Sequence, residues 1–215
     1  MAVSNGMKVL IADDHEVVRQ GVKQILTDEF GEARFGEAVN TAELLHQAWT
    51  EKWDLVLLDI SMPGRSGLDA LVELRKERPE LPVLVLSMFS EQEYALRALR
   101  AGAAGYLTKQ GLGHELVEAV KKVLAGGRYI TPTLAELLAA GFAKDGTKLP
   151  HEKLSDREYE VMKLIASAKS VKEIASELSL GEKTVFTYRA RLLEKLGLKG
   201  DVEVARYALK HRLVE

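Results

Sequence analysis

In the first 127 positions, apolar residues gather into short runs separated by amphipathic stretches. The runs cover 7–12, 33–36, 55–59, 83–86 and 105–108, and three hold continuous apolar stretches, as strands buried on both faces do. Between them, segments 15–27, 41–51, 67–78, 90–101 and 114–125 space apolar residues three and four apart, as Leu68, Leu71 and Val72 show, which predicts helices with one apolar stripe. Five βα units in succession predict a parallel sheet covered by helices on both sides. After Gly126-Gly127 the pattern breaks. Pro132, Gly141, Gly146 and Pro150 surround an Ala/Leu-rich stretch at 133–140, which predicts a linker over 128–150 carrying one short helix. From Leu154 onward the periodicity is helical throughout, over 156–167, 171–178, 182–196 and 202–211. The expected organisation is an α/β domain over 1–127, the linker, and an all-α four-helix domain over 151–215.

Composition narrows the function classes. The 215 residues include no cysteine, which excludes disulfides and thiolate metal sites and fits a reducing compartment. No window approaches eighteen uninterrupted apolar residues, and MAVSNGMKVL lacks the basic flank and long apolar stretch of a secretory signal, so a cytoplasmic protein with no membrane partner is expected. The net charge of −2 divides unevenly. From His151 on there are 13 basic and 11 acidic residues, hence +2; before it there are 17 and 21, hence −4. A polyanionic partner suits the second part better than the first.

Candidate chemistry falls at the ends of the predicted strands. Asp13 and Asp14 follow the first run, Asp59 ends the third, Ser87 follows the fourth and Lys109 the fifth. In a parallel βα sheet these positions share the carboxyl edge, where ligands bind. We adopt the flavodoxin-like strand order 2-1-3-4-5, one of the common doubly wound orders, which brings Asp13, Asp14 and Asp59 together at the topological switch point. Three clustered carboxylates repel one another unless a cation joins them, and oxygen donors suit Mg²⁺. A carboxylate beside such an ion can act as nucleophile toward a phosphoryl group, with Lys109 and Ser87 offering a charge and a hydroxyl to its oxygens. Taken singly, each residue has an ordinary explanation: a strand-end Asp caps the next helix, and a lone Lys is solvated. Five such residues at five strand ends are not explained that way.

The motifs Asp13-Asp14-His15, Leu57-Leu58-Asp59-Ile60-Ser61-Met62-Pro63-Gly64, Leu86-Ser87-Met88 and Gly105-Tyr106-Leu107-Thr108-Lys109 resemble the receiver domain of response regulators. The resemblance implies that Asp59 accepts phosphate from the phosphohistidine of a sensor histidine kinase. It implies that Asp13 or Asp14, with Asp59 and the Ser61 backbone carbonyl, holds Mg²⁺. Ser87 and Tyr106 would form a switch pair, and a surface around Ala95, Tyr106 and Val120 would change shape as the dimerisation face. Met88 is bulkier than the small residue many receivers carry there and is expected to slow phosphoryl entry or hydrolysis. His15 is taken as a surface residue, since no second histidine stands at ligand spacing.

In the helical part, Ser155 followed by Glu158 forms a capping box that starts a helix. Val171, Ile174, Ala175 and Leu178 mark a short helix, Ser179-Leu180-Gly181 a tight turn, and Val185, Tyr188, Leu192 and Leu196 the inner face of a longer helix. Such a pair is a helix-turn-helix, whose second helix enters the major groove. The stretch from Leu154-Ser155-Asp156-Arg157-Glu158 through Lys172-Glu173-Ile174-Ala175 and Thr184-Val185 to Lys195-Leu196-Gly197-Leu198 resembles the LuxR-type DNA-binding domain. With the receiver, it is similar to the NarL/FixJ family of transcription regulators. The face opposite Val185, Leu192 and Leu196 carries Lys183, Thr187, Ala190, Arg191 and Glu194, with Phe186 on its flank. The resemblance places base contacts at Phe186, Thr187 and Ala190, where the family often has polar residues. These three can meet thymine methyls but cannot make bidentate bonds to guanine. Lys172, Lys183, Thr184, Arg189, Arg191 and Lys195 are candidates for phosphate contacts.

The expected function is a two-component regulator, not a dedicated enzyme, that takes a phosphoryl group on Asp59 and binds promoter DNA as a homodimer. Val202, Val204, Ala205, Ala208 and Leu209 on the last helix are candidates for its dimer surface. The apolar reading face motivates an alternative, a phosphorylation-controlled protein-interaction module with weak or non-specific DNA binding. A haloacid-dehalogenase-like phosphatase is disfavoured, because its second Asp, two residues after the nucleophile, is here Ser61.

Overall fold

The computed structural model describes residues 6–62, 65–143, 149–211 and 213–214. Pro63 and Gly64 of the third-strand motif and residues 144–148 of the expected linker lie outside them, as do the side chains of Gln92, Glu93 and residues 140–143. The chain divides into two compact units, Met1–Ala143 and Lys144–Glu215.

In the first unit, strands β1 (Met7–Ala12), β2 (Ala33–Ala38), β3 (Leu55–Asp59), β4 (Val83–Ser87) and β5 (Gly105–Thr108) alternate with helices α1 (Glu16–Phe30), α2 (Thr41–Thr50), α3 (Gly67–Glu77), α4 (Glu91–Arg100) and α5 (Leu112–Leu124). All strand pairs are parallel and the order is β2-β1-β3-β4-β5, as expected. Successive strand residues point to opposite faces. Val9, Ile11, Leu55, Leu57, Leu84, Leu86 and Leu107 pack with Val22, Leu26, Leu116, Ala119, Val120 and Val123 of α1 and α5. The intervening Leu10, Val56, Leu58, Val85 and Tyr106 are buried too, so both faces are covered and the strands read as apolar runs.

Residues 128–143 do not behave as a free linker. Tyr129 forms a parallel bridge to Gly105 and its N–H donates to the Ala104 carbonyl, extending the edge of the sheet beyond β5. A side chain at Gly105 would meet Tyr129 Cβ at 2.9 Å, so this approach requires glycine there. Helix α6 (Pro132–Ala143) follows and packs against α4. Thr131 Oγ accepts from Leu134 N–H, its hydroxyl donates to Glu91 Oε2 at 2.7 Å, and Leu134 is fully buried. Edge pairing and one apolar anchor make this segment part of the first unit, which local periodicity does not reveal.

The second unit holds α7 (Asp156–Ala166), α8 (Val171–Glu177), α9 (Glu182–Leu196) and α10 (Asp201–Lys210), after a short 3₁₀ turn at Pro150–Lys153. The Ser155/Glu158 capping box forms, and a second joins Ser170 and Glu173 at the start of α8. Leu154, Tyr159, Val161, Met162, Ile165, Ile174, Val185, Leu192, Val204 and Ala208 fill the core. Of the residues proposed for a dimer surface, Val204 and Ala208 are therefore core, while Val202 (74% exposed) and Leu209 (57%) face solvent. His151 is buried against α10, its Nδ1 2.9 Å from the Tyr207 hydroxyl. Among the described residues no helix is long and apolar enough to cross a membrane.

Candidate functional site: an acidic strand-end cluster and a helix-turn-helix

Adjacent parallel strands in register deliver the acidic residues. Ala12 pairs with Leu58, so Asp13, one residue beyond β1, lies beside Asp59 at the end of β3. Ser87 is opposite Thr108, which places Lys109 at the same edge. Both carboxylates are 1% exposed and the Lys109 side chain 4%. Lys109 Nζ donates to Asp59 Oδ2 at 2.6 Å and makes a charge contact with Asp13 Oδ2 at 2.7 Å. Asp59 Oδ1 accepts the Ser61 N–H at 2.8 Å, and Asp13 Oδ1 accepts the His15 N–H at 2.9 Å. The β3–α3 connection needs glycine beside the site: a Cβ on Gly67 would stand 2.5 Å from Ile60 Cα and 2.9 Å from the Asp59 carbonyl oxygen.

Burial pushes the Asp59 carboxyl above the usual carboxylate range, against the pull of the Lys109 ammonium and the Ser61 N–H. Burial also works against the Lys109 charge, but the Asp59 carboxylate and the bonds to both aspartates outweigh it and hold the ammonium above its ordinary value. One fixed cation thus faces two buried carboxylates. Asp13 Oδ2 is buried, and the Lys109 ammonium at 2.7 Å is its charge partner. One ligand atom from each of Asp13, Asp14, His15 and Asp59 lies within 4.8 Å of the others, so the cluster can hold a cation. His15 is a surface residue with a mostly exposed ring, and its Nδ1 lies 3.2 Å from Asp13 Oδ1 and 3.0 Å from Asp14 Oδ1. Ser61 is placed by its N–H bond to Asp59, its hydroxyl buried.

Ser87 and Tyr106 are both fully buried. Ser87 Oγ accepts the Phe89 N–H at 3.1 Å, and the Tyr106 hydroxyl donates to the Phe89 carbonyl at 2.9 Å. One loop residue between β4 and α4 therefore ties the two together. Phe89 also stacks on buried Tyr94 of α4, with ring centroids 4.5 Å apart. Met88, between Ser87 and Phe89, is exposed. Ala95, Tyr106 and Val120, expected as a surface, are all fully buried: Ala95 lies on the inner side of α4 and Val120 on the sheet-facing stripe of α5.

In the second unit, α8 and α9 meet at a tight turn in which Ser179 adopts φ 53°. Val185, Leu192 and Leu196 of α9 are buried and Tyr188 half-buried. Lys183, Thr184, Phe186, Thr187, Ala190 and Arg191 are exposed, as is Lys172 on α8. Two of the cations are already engaged. Lys195 Nζ donates to Glu158 Oε2 at 2.6 Å, joining α9 to the capping box of α7, and Arg189 Nε donates to Asp201 Oδ1 at 2.7 Å. Burial opposes the Glu158 charge, but the bonds from Lys195 and Ser155 hold its carboxyl below the usual range. A buried ion pair between Arg157 and Glu160 at 2.7 Å also lies in α7, and local sequence gave no sign that these charges face inward.

Residues 9–121 match the response regulator receiver domain, and residues 152–208 match the luxR family of bacterial regulatory proteins. The chain belongs to the NarL/FixJ family of response regulators. It is 40% identical to the response regulator GacA of Pseudomonas aeruginosa over 210 residues, covering 97% of this chain and 98% of that one. It is 36% identical to the response regulator UvrY of Escherichia coli K12 over 208 residues, or 96% and 95%. RcsB of Salmonella enterica serovar Typhimurium, solved bound to promoter rprA in the presence of the phosphomimetic BeF₃⁻, matches with a TM-score of 0.61 at 27% identity, covering 94% of this chain and 98% of that one. As a member of this family, the chain is a phosphorylation-controlled regulator of transcription that acts through DNA binding.

Proposed function

We propose that Asp59 is the phosphoacceptor, that Mg²⁺ is the cation of the acidic cluster, and that the regulator acts in the cytoplasm as a switch, not as a dedicated enzyme. The observation that carries this reading is the Lys109 ammonium, held between Asp13 and Asp59 at 2.7 and 2.6 Å where all three side chains are buried. A sensor histidine kinase supplies the group: an Asp59 carboxylate oxygen bonds to phosphorus as the phosphorus–nitrogen bond of a phosphohistidine breaks, and the imidazole leaves with a proton. Asp13, Asp14 and Asp59, with the Ser61 carbonyl, would hold Mg²⁺, which offsets the charge of phosphoryl oxygens and carboxylates. Lys109 supplies a fixed positive charge beside Asp59, and the Ser61 N–H orients Asp59. New acceptor oxygens at Asp59 draw the Ser87 hydroxyl, which releases the Phe89 N–H and loosens the loop that Tyr106 also holds. Two copies then present their α9 helices to successive major grooves of promoter DNA.

The test is labelling of the full chain by a small phosphodonor with Mg²⁺. The wild type takes up one phosphoryl group and Asp59→Ala takes up none; undiminished labelling of the variant sinks the assignment.

A further inference from the structure

We propose that α9 reads thymine by its 5-methyl group, with Phe186 and Ala190 as specificity-determining residues. The proposal rests on the DNA-binding reading above and names what that site recognises. Phe186 is 53% exposed on a helix whose other large apolar residues, Val185, Leu192 and Leu196, are in the core. It lies one helical turn from Ala190, which is exposed too, and Thr187 stands next to both. Core packing thus leaves a phenyl ring, a methyl group and a threonine on the outer face, in the first turns of the helix that enters the groove.

Apart from its charged residues, this face has little polar capacity. The Thr187 hydroxyl donates its single proton to the Lys183 carbonyl at 3.0 Å, so it has no donor left for guanine or for thymine O4. Arg189 is tied to Asp201 and Lys195 to Glu158. Lys183 and Arg191 are exposed on the same helix, and Lys172 is exposed on α8. None of Phe186, Thr187 or Ala190 can form the paired bonds that single out guanine or adenine. In the major groove the thymine methyl is the apolar feature that distinguishes a base pair, and it suits such a patch. Placed on phosphates, the cations supply affinity without sequence choice.

The experiment uses the full chain, activated with BeF₃⁻ and Mg²⁺. A preferred duplex is selected from a random pool, and its thymines are replaced one at a time by deoxyuridine, which removes only the methyl. At two or more positions the Kd should rise about fourfold, the factor for one methyl-sized group returned to water. In Phe186→Ala the most sensitive of these positions should lose most of its response, while Phe186→Leu should keep it. Helicity of both variants is checked by circular dichroism, and half-exposed Phe186 leaves the core intact when truncated. Selective binding that ignores every deoxyuridine, or that depends instead on guanine N7 as shown by 7-deazaguanine, overturns the methyl proposal alone. Unchanged deoxyuridine sensitivity in Phe186→Ala overturns the assignment to Phe186. No preference over random DNA overturns the DNA-reading proposal along with this one.

Discussion

Replacing Lys109 by Met tests the electrostatics of the acidic site most directly. The substitution keeps a long, unbranched side chain and removes one charge from a place where it faces two carboxylates at 2.6 and 2.7 Å. Because Asp13 and Asp59 are each 1% exposed, water does not replace the lost partner. Removing one member of a buried ion pair costs about 3–5 kcal/mol, and here it leaves two like charges in contact range. For a unit of this size that corresponds to a fall in Tm of roughly 10 °C or more. The sign with pH follows from Asp59. Its folded carboxyl is raised above the unfolded value, so the associated stability is present below the unfolded pKa and is lost as pH rises through the folded one. Without Lys109 that carboxyl rises further. The variant should therefore lose more stability than the wild type on going from pH 5 to pH 8, and added Mg²⁺ should restore part of it. Both tryptophans, Trp49 and Trp53, lie in the first unit, so urea unfolding followed by tryptophan fluorescence reports on the unit that contains the site. A variant with wild-type midpoint, unaltered pH response and no Mg²⁺ effect would refute the charge balance described here.

Other outcomes follow from the same geometry. Labelling by a small phosphodonor disappears in Asp59→Ala, and deoxyuridine substitution in the selected duplex weakens binding through Phe186. Ser155→Ala removes one half of the capping box on α7 and should cost about 1 kcal/mol, read as a lower midpoint in the far-ultraviolet circular dichroism of the second unit with the fluorescence midpoint unchanged. Lys183→Ala should flatten the slope of log K against log salt by about 0.9 while keeping the order of preferred sequences. Lys195→Ala should leave that slope alone, because its ammonium is held by Glu158; an equal flattening in both would show that Lys195 reaches phosphate.

Much of the site was legible because parallel sheets convert sequence position into spatial position. Asp13, Asp59, Ser87 and Lys109 each stand at or just after a predicted strand, and the strand order then makes them neighbours. The same reasoning does not reach contacts shared between elements. Lys109 could be assigned to incoming phosphoryl oxygens from its position, but nothing local says that it is held by Asp13 as well as Asp59. Lys195, a candidate phosphate contact, also binds Glu158, which lies 37 residues away in another helix.

Periodicity, caps and strand-end residues by themselves determined two folded units, the nature of each element and the shared carboxyl edge of the acidic residues, because these depend on local spacing; their meeting at one point followed once the strand order was adopted. Tertiary packing decided the rest. It drew 128–143 onto the first unit through Tyr129, Thr131 and Leu134, turned Ala95 and Val120 inward, and split α10 into buried Val204 and Ala208 against exposed Val202 and Leu209. The physical reason is that helix and strand formation follow neighbours within a few residues, whereas burial and charge pairing depend on which surface arrives opposite, and only the assembled chain supplies that surface.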